Sequence, residues 1–334
     1  MTAPANRVLI PALDHVPARP SGAVLVLTGE AMGTSWTVRA VGDPADGPRL
    51  TAAVREEIAR VDEQMSHWRA DSALSRFNTA RRGEAHVLPG PLAGVLAYAL
   101  SLAQETDGAF DPTLGALVDL WGFGPPGPRA DIPADAEIET ARAAGGWRRL
   151  EQDADARWVQ PGGLRLDLSG VAKGFAVDAV SERLTAEDTS HHLVEIGGEL
   201  RGHGIKPDGR PWWVELEQPP GLDAPRMLAA LHGLSVATSG DQVRVFEHDG
   251  RAFSHTLDGR TGRPVDNGVA SVTVLHASAM QADALASALT VMGPAVGMAY
   301  AERESLAVRM ILRGPDGLEE HFSPAFAAML DDDA

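Results

Sequence analysis

Between Leu193 and Leu275 the chain breaks into short apolar runs separated by tight-turn signals, and this punctuation restricts the fold more than any other feature. Runs at His192–Ile196, Trp212–Leu216, Val243–Glu247, Phe253–Leu257 and Ala270–Leu275 have strand length. Pro207-Asp208-Gly209, Asp249-Gly250 and Asn267-Gly268 lie between them. Asp-Gly and Asn-Gly supply the positive-φ residues of short hairpin loops, so successive strands read as antiparallel neighbours. A doubly wound parallel sheet would need a helix at each crossover instead. Two further strands, Ala23–Thr28 and Thr34–Ala40, are joined by a turn.

Helices are spread among these strands. Val54, Ile58, Val61 and Met65 recur at helical spacing within Thr51–Met65. Leu92–Thr106 is opened by Pro91 and closed by Asp107-Gly108, and Gly293-Pro294 closes Gln281–Met292. Ala134–Ala144 and Val171–Thr185 are also read as helices, Gly122–Pro133 as loop and Val308–Arg313 as a late strand. The expected class is α+β, with mainly antiparallel sheets and packed helices. No linker divides the chain, so residues 23–330 are expected to form one domain with interleaved subdomains. A Pro-rich loose arm (1–22) precedes it and an acidic tail (331–334) follows.

Composition excludes several functions. The chain of 334 residues has no cysteine, which removes disulfides, thiolate metal sites and a Cys nucleophile. A formal net charge of −17 argues against nucleic acid and against anionic membrane surfaces. No run approaches the length of a membrane span, and the N-terminus lacks a signal-peptide pattern, so a cytoplasmic location without membrane insertion is expected. Only two of the 29 basic residues are lysines, Lys173 and Lys206.

Some strings fail as motifs. Gly122-Phe-Gly-Pro-Pro-Gly127 has the spacing of a dinucleotide fingerprint but carries two prolines and opens no helix. His191-His192 reads as a strand edge, without further ligands for a metal. Others survive. Leu166-Asp-Leu-Ser-Gly-Val-Ala-Lys-Gly-Phe-Ala-Val-Asp178 runs from a strand through a turn into a helix, whose N-terminus with Lys173 suits a phosphate; the same string also describes a plain junction capped by Ser169. Asp283 and Ser287 share a helix face and are hard oxygen ligands apt for Mg²⁺; alternatively Asp283 answers the helix dipole and Ser287 faces solvent. Thr238-Ser239-Gly240 reads as a polar turn able to bind an anion, Gly197-Gly198-Glu199 as a hairpin turn, and His255 as one of eleven histidines beside polar residues. Trp68 and Phe110 offer rings for stacking or for core packing.

Taken in order, Met32-Gly-Thr, Asp71-Ser-Ala-Leu-Ser-Arg-Phe-Asn, Gly108-Ala-Phe-Asp-Pro-Thr, Leu166-Asp-Leu-Ser-Gly-Val-Ala-Lys-Gly, Gly197-Gly-Glu, Thr238-Ser-Gly-Asp, Ser254-His through Thr261-Gly-Arg-Pro, and Ala282-Asp-Ala-Leu-Ala-Ser resemble the ApbE family, the FAD:protein FMN transferases. The resemblance spans about Met32 to Gly293. It implies a T-fold-like α+β architecture and Mg²⁺-dependent transfer of FMN from FAD to a Thr or Ser hydroxyl of an acceptor protein, with release of AMP. It also implies site residues. Flavin and adenine contacts fall on Met32, Trp68, Ala109, Phe110, Asp111, Asp167, Lys173 and the backbone at Thr256. Metal ligands fall on Asp283, Ser287 and the Gly170 carbonyl, with Mn²⁺ an alternative to Mg²⁺. His255 matches the histidine that assists the acceptor hydroxyl, with Lys173 and Asp283 completing the catalytic set. The absence of Cys removes the lipid-anchored cysteine of exported relatives.

The chain departs from the family pattern at four positions. Ser287 stands where Thr is usual, Trp68 where Tyr is usual, Gln242 where an aromatic is usual, and Gly259 where Pro is usual. None removes a charge that the chemistry needs. An FAD pyrophosphatase, with water in place of the acceptor, and a non-catalytic FAD-binding module are the rival readings.

Overall fold

The computed structural model describes residues 6–11, 17–240 and 245–331. Its central sheet has eight strands: β1 (Ala23–Ala31), β2 (Thr34–Gly42), β3 (His192–Ile196), β4 (Glu199–His203), β5 (Leu234–Gly240), β6 (Val269–His276), β7 (Ala307–Gly314) and β8 (Gly317–Phe322). They lie side by side in chain order, each antiparallel to the next. The sheet is therefore a meander, and the other elements are insertions into it. Among the described residues six α-helices precede β3: α1 (Gly47–Met65), α2 (Ala73–Asn78), α3 (Gly90–Glu105), α4 (Gly115–Leu120), α5 (Asp135–Ala144) and α6 (Ala172–Ala186). A seventh, α7 (Ala279–Arg303), joins β6 to β7. The expected α+β class with antiparallel sheet holds.

Side-chain alternation along the strands creates two cores. Val194, Ile196, Val272, Val274, Val308 and Met310 face the helical layer, where they meet Leu50, Ile58, Val177 and Leu289. Leu193, Val236, Leu275 and Ala307 point the other way, toward Leu9, Trp212, Met227 and Phe326. A small sheet of Arg7–Leu9, Trp212–Glu215, Met227–Leu231 and Leu330–Asp331 covers that second face. Part of the segment read as a loose arm is thus paired: Arg7–Leu9 runs parallel to Met227–Ala229. Asp331, read as the start of the acidic tail, pairs with Val8. Residues 332–334, and Gln242 among the departures noted above, lie outside the described residues.

Four other expectations change. Helix α7 continues beyond Gly293-Pro294 to Arg303, broken at Gly293 (φ 76°, ψ 179°). Proline's missing N–H is no loss in the first turn of the resumed helix, and Asn267 Nδ2 donates to Thr290 O at 2.8 Å beside the break. By length and composition α7 would suffice to cross a bilayer, yet it packs against β5, β6 and α6. Thr238-Ser239-Gly240 is not a turn but the end of β5, with Thr238 opposite Thr273 and their hydroxyls 2.9 Å apart. Ser169 does not cap α6, whose N-cap is Val171. His191-His192 precedes and opens an interior strand, and His192 is fully buried.

His192 gives a test of the fold. Its Nδ1 lies 2.8 Å from Thr189 O, which requires a proton there, so Nε2 accepts from the Ser181 hydroxyl at 2.7 Å. Burial lowers its pKa to about 4. Above pH 6.5 the ring is neutral folded or unfolded. Between pH 6.5 and 4 only the unfolded chain takes up the proton, so stability falls with pH by up to about 3 kcal/mol. Denaturant unfolding at pH 7 and pH 5 should show a smaller pH-dependent loss in His192→Gln than in wild type; equal losses would contradict this origin.

Candidate active site

The loop before α6 is built by partners distant in sequence. Asn78, at the end of α2, donates Nδ2 to Leu166 O at 2.8 Å and accepts from Leu166 N at 2.7 Å, doing the work of a neighbouring strand. Asp167 N donates to Pro112 O at 2.8 Å. The Asp167 carboxylate accepts from Ser169 N at 2.8 Å and lies 3.4 Å from His67 Nδ1. Burial alone would raise its pKa; the His67 contact and the Ser169 hydrogen bond outweigh burial, and the net shift is downward. The neighbouring Trp68 ring is tilted against His67 at 5.2 Å and is 55% exposed, an apolar surface open to a planar ligand.

Two hairpin turns approach the same region. Met32 and Gly33 both have positive φ (52° and 72°), as the two-residue loop between β1 and β2 requires. For Met this costs about 1–2 kcal/mol. The strained residue is one that the family resemblance assigns to flavin contact, and its side chain packs partly against the main core. Gly197 (φ 62°) and Gly198 (φ 102°) join β3 to β4. A Cβ on Gly197 would meet Thr34 Cγ2 at 2.9 Å and Lys173 Cδ at 3.5 Å. Met32-Gly-Thr, Gly197-Gly-Glu and Lys173 thus converge.

The face of α6 toward β4 is charged. Five residues of helix, about 7.5 Å, span nearly the same length as two residues of strand, about 6.8 Å. Lys173 and Asp178 accordingly meet Glu199 and Arg201: Lys173 Nζ lies 2.5 Å from Glu199 Oε1, and Arg201 pairs with Asp178. Asp178 also accepts from Ser278 Oγ at 2.7 Å and from the N–H groups of Ala279 and Met280 at 3.0 Å each. This carboxylate holds the N-terminus of α7 and so sets the position of Asp283, one turn further on.

Helices α6 and α7 touch at Gly174. A Cβ there would fall 2.2 Å from Ala279 O and 2.8 Å from Asp283 Cβ. Gly174 N donates to Asp283 Oδ2 at 3.0 Å. The N-terminus of α6, expected to offer free N–H groups to a phosphate, is therefore partly committed: Ala172 N also donates inward, to Leu168 O. A Cβ on Gly170 would stand 3.1 Å from Ser287 Oγ and 3.5 Å from Phe110 Cε2, so the Gly170–Ser287 pair and Phe110 share one place.

Glu199 is absent from the residues assigned from the sequence. It is 3% exposed, and its Oε2 has no hydrogen-bond partner. Burial, and next the charge of Asp283, raise its pKa, while Lys173 lowers it; burial raises that of Asp283 also. Two buried carboxylates thus face one ammonium, a set one negative charge in excess when both ionise. The alternation of Glu199 with Arg201 on the helix-facing side of β4 was the available signal.

The remaining assigned residues are distributed around this cluster. Ala109 and Phe110 are buried. Asp111 accepts from Thr113 N at 2.8 Å and from Thr113 Oγ1 at 2.5 Å, and burial raises its pKa. Gly259 lies beside Asp111, and a Cβ there would meet Leu114 Cδ2 at 2.8 Å. His255 follows the strand Arg251–Ser254 and packs edge-on to Phe123, 6.3 Å between ring centres. Its segment is tied to a satellite core of Leu117, Trp121, Ile138, Phe246 and Leu257, and Trp121 Nε1 donates to Gly262 O at 2.9 Å. Thr256 N donates to Ser254 Oγ at 3.1 Å, and its carbonyl accepts from Val265 N at 2.9 Å. The geometry thus gathers Lys173, Asp283, Ser287, Gly170 and Phe110, and holds His255 and Thr256 on a separate, hairpin-built support.

Comparison with known proteins identifies the family. The ApbE family model matches residues 32–312. The FAD:protein FMN transferase of Vibrio cholerae is 39% identical over 308 residues, covering 91% of this chain and 92% of the relative. That of Salmonella typhimurium is 34% identical over 316 residues, covering 93% and 90%. The crystal structure of the Pseudomonas stutzeri flavinyl transferase ApbE, in its apo form, superposes with a TM-score of 0.85 at 38% identity, covering 92% of this chain and 96% of that one. On sequence and on fold, the chain belongs to the ApbE family.

Proposed function

We propose that this chain is a transferase that moves FMN from FAD onto a Thr or Ser hydroxyl of an acceptor protein. The acceptor oxygen bonds to the FMN phosphorus, the bridging P–O bond breaks, and AMP leaves with the bridging oxygen. The observation that carries this reading is the convergence of Lys173, Asp283, Ser287 and Gly170, each from a family motif, at the contact of α6 with α7.

A divalent cation fits these residues. Asp283, Ser287 Oγ and the Gly170 carbonyl are hard oxygen donors, and a cation would offset the negative charge that the Asp283–Glu199–Lys173 set carries in excess when both carboxylates ionise. Among the described residues no three or more His, Cys, Asp or Glu side chains form a metal cluster. One carboxylate with neutral oxygens suits Mg²⁺ or Mn²⁺ shared with substrate phosphate. Such an ion supplies polarisation of a phosphoryl oxygen. Lys173 adds positive charge on the pyrophosphate. Trp68 stacks on a planar ring, and Met32, Ala109, Phe110, Asp111, Asp167 and the Thr256 backbone line the remaining FAD contacts. His255 takes the proton of the attacking hydroxyl.

Incubation with FAD, Mg²⁺ and a Thr-bearing acceptor should give acceptor fluorescence that survives denaturing electrophoresis. FMN and AMP formed at full rate without acceptor would identify a pyrophosphatase instead. FAD binding with neither product would leave only a binding module. His255→Ala should lower turnover about 10²-fold, the usual scale of general-base assistance, with FAD affinity retained. Unchanged turnover would remove His255 from the mechanism.

A further inference from the structure

We propose that Glu199 is a positioning residue: it holds the Lys173 ammonium beside Asp283 instead of on it, and so keeps the Asp283 carboxylate available to a divalent cation. The inference rests on the metal-assisted reading above. Three observations support it. Lys173 Nζ lies 2.5 Å from Glu199 Oε1, and Asp283 Oδ2 is engaged by Gly174 N at 3.0 Å. The Lys173 stem passes within van der Waals reach of Gly197, where a Cβ would stand 3.5 Å from Lys173 Cδ, so the turn that carries Glu199 also borders the stem. Finally, Glu199 Oε2 is buried without a hydrogen-bond partner, an arrangement that a residue kept for stability alone would avoid. Without the Glu199 charge, the ammonium is drawn to Asp283, on which its charge already acts, and competes there with the metal.

The test uses the full chain and Mn²⁺ alone, followed by calorimetry. Glu199→Gln should weaken Mn²⁺ binding at least 10-fold with no fall in Tm, and Glu199→Asp should recover part of the loss. The decisive variant is the double Lys173→Met/Glu199→Gln. With no ammonium to compete, its Mn²⁺ affinity should rise above that of Glu199→Gln and approach that of Lys173→Met. If Glu199 were itself a ligand, or only a packing group, the Glu199→Gln loss would persist in full in the Lys173→Met background, the double variant would stay well below Lys173→Met, and the inference would fall. Wild-type affinity in Glu199→Gln would also overturn it while leaving the metal reading intact. A wild-type chain that takes up no Mn²⁺ would overturn both.

Discussion

Asp283→Asn should lose metal-dependent turnover by about 10³-fold or more while the protein stays as stable as wild type, or becomes more so. The two halves of this expectation share a cause. Asp283 is 7% exposed, and burial disfavours its charge. The fold therefore opposes the ionised form of Asp283, and that cost is recovered when a cation binds. Asparagine keeps an oxygen to accept from Gly174 N, now 3.0 Å from Asp283 Oδ2, so the α6–α7 contact survives. It lacks the negative charge that a divalent ion needs. A loss of several kcal/mol of transition-state stabilisation corresponds to the stated factor. Asp283→Ala should lose turnover equally and stability slightly, about 1 kcal/mol, for the Gly174 N–H left without its acceptor. FMN transfer and thermal unfolding, measured on both variants, separate the two effects. Normal transfer by Asp283→Asn would remove Asp283 from the metal site.

The sequence displayed local features of this arrangement and concealed the long-range ones. The Gly197-Gly198 turn was visible because positive φ selects glycine, and α1 was visible because Val54, Ile58, Val61 and Met65 repeat along one face. The short helix α2 spans only six residues, too few for a periodic signal, yet its Asn78 holds Leu166 across 88 positions. Thr238 and Ser239 resembled a turn because small polar residues favour turns; opposite Thr273, the Thr238 hydroxyl finds a cross-strand partner instead. Glu199 was hidden in the same way, read as the end of a hairpin turn when it is the start of a buried strand face. Asp178 stood at the end of a motif with no role attached, because its partners Ser278, Ala279 and Met280 lie about 100 residues away. The order of the motifs revealed the family, whereas the contacts among them depend on the meander.

Gly174→Ala should lower stability by about 3 kcal/mol and abolish transfer in whatever protein remains folded. The added methyl carbon would sit 2.2 Å from Ala279 O and 2.6 Å from Ala279 C. Both are backbone atoms of α7, and Asp178 fixes that end of the helix through Ala279 N and Met280 N. A flexible side chain could turn aside, but this backbone yields only if the two helices separate. Overpacking of this kind costs about 1–3 kcal/mol where side chains can move, and the rigid partner places Gly174 at the upper end. Alanine is the better helix former by about 1 kcal/mol, so propensity alone predicts the opposite sign. Helix separation would draw Lys173 and the Gly174 N–H away from Asp283 together, which couples loss of packing to loss of chemistry. Thermal unfolding and FMN transfer by Gly174→Ala, beside Gly94→Ala in α3, where an added Cβ meets nothing within 4 Å, decide the matter. Gly94→Ala should be neutral or stabilising. Equal behaviour of the two variants would show that α6 and α7 do not need their close approach.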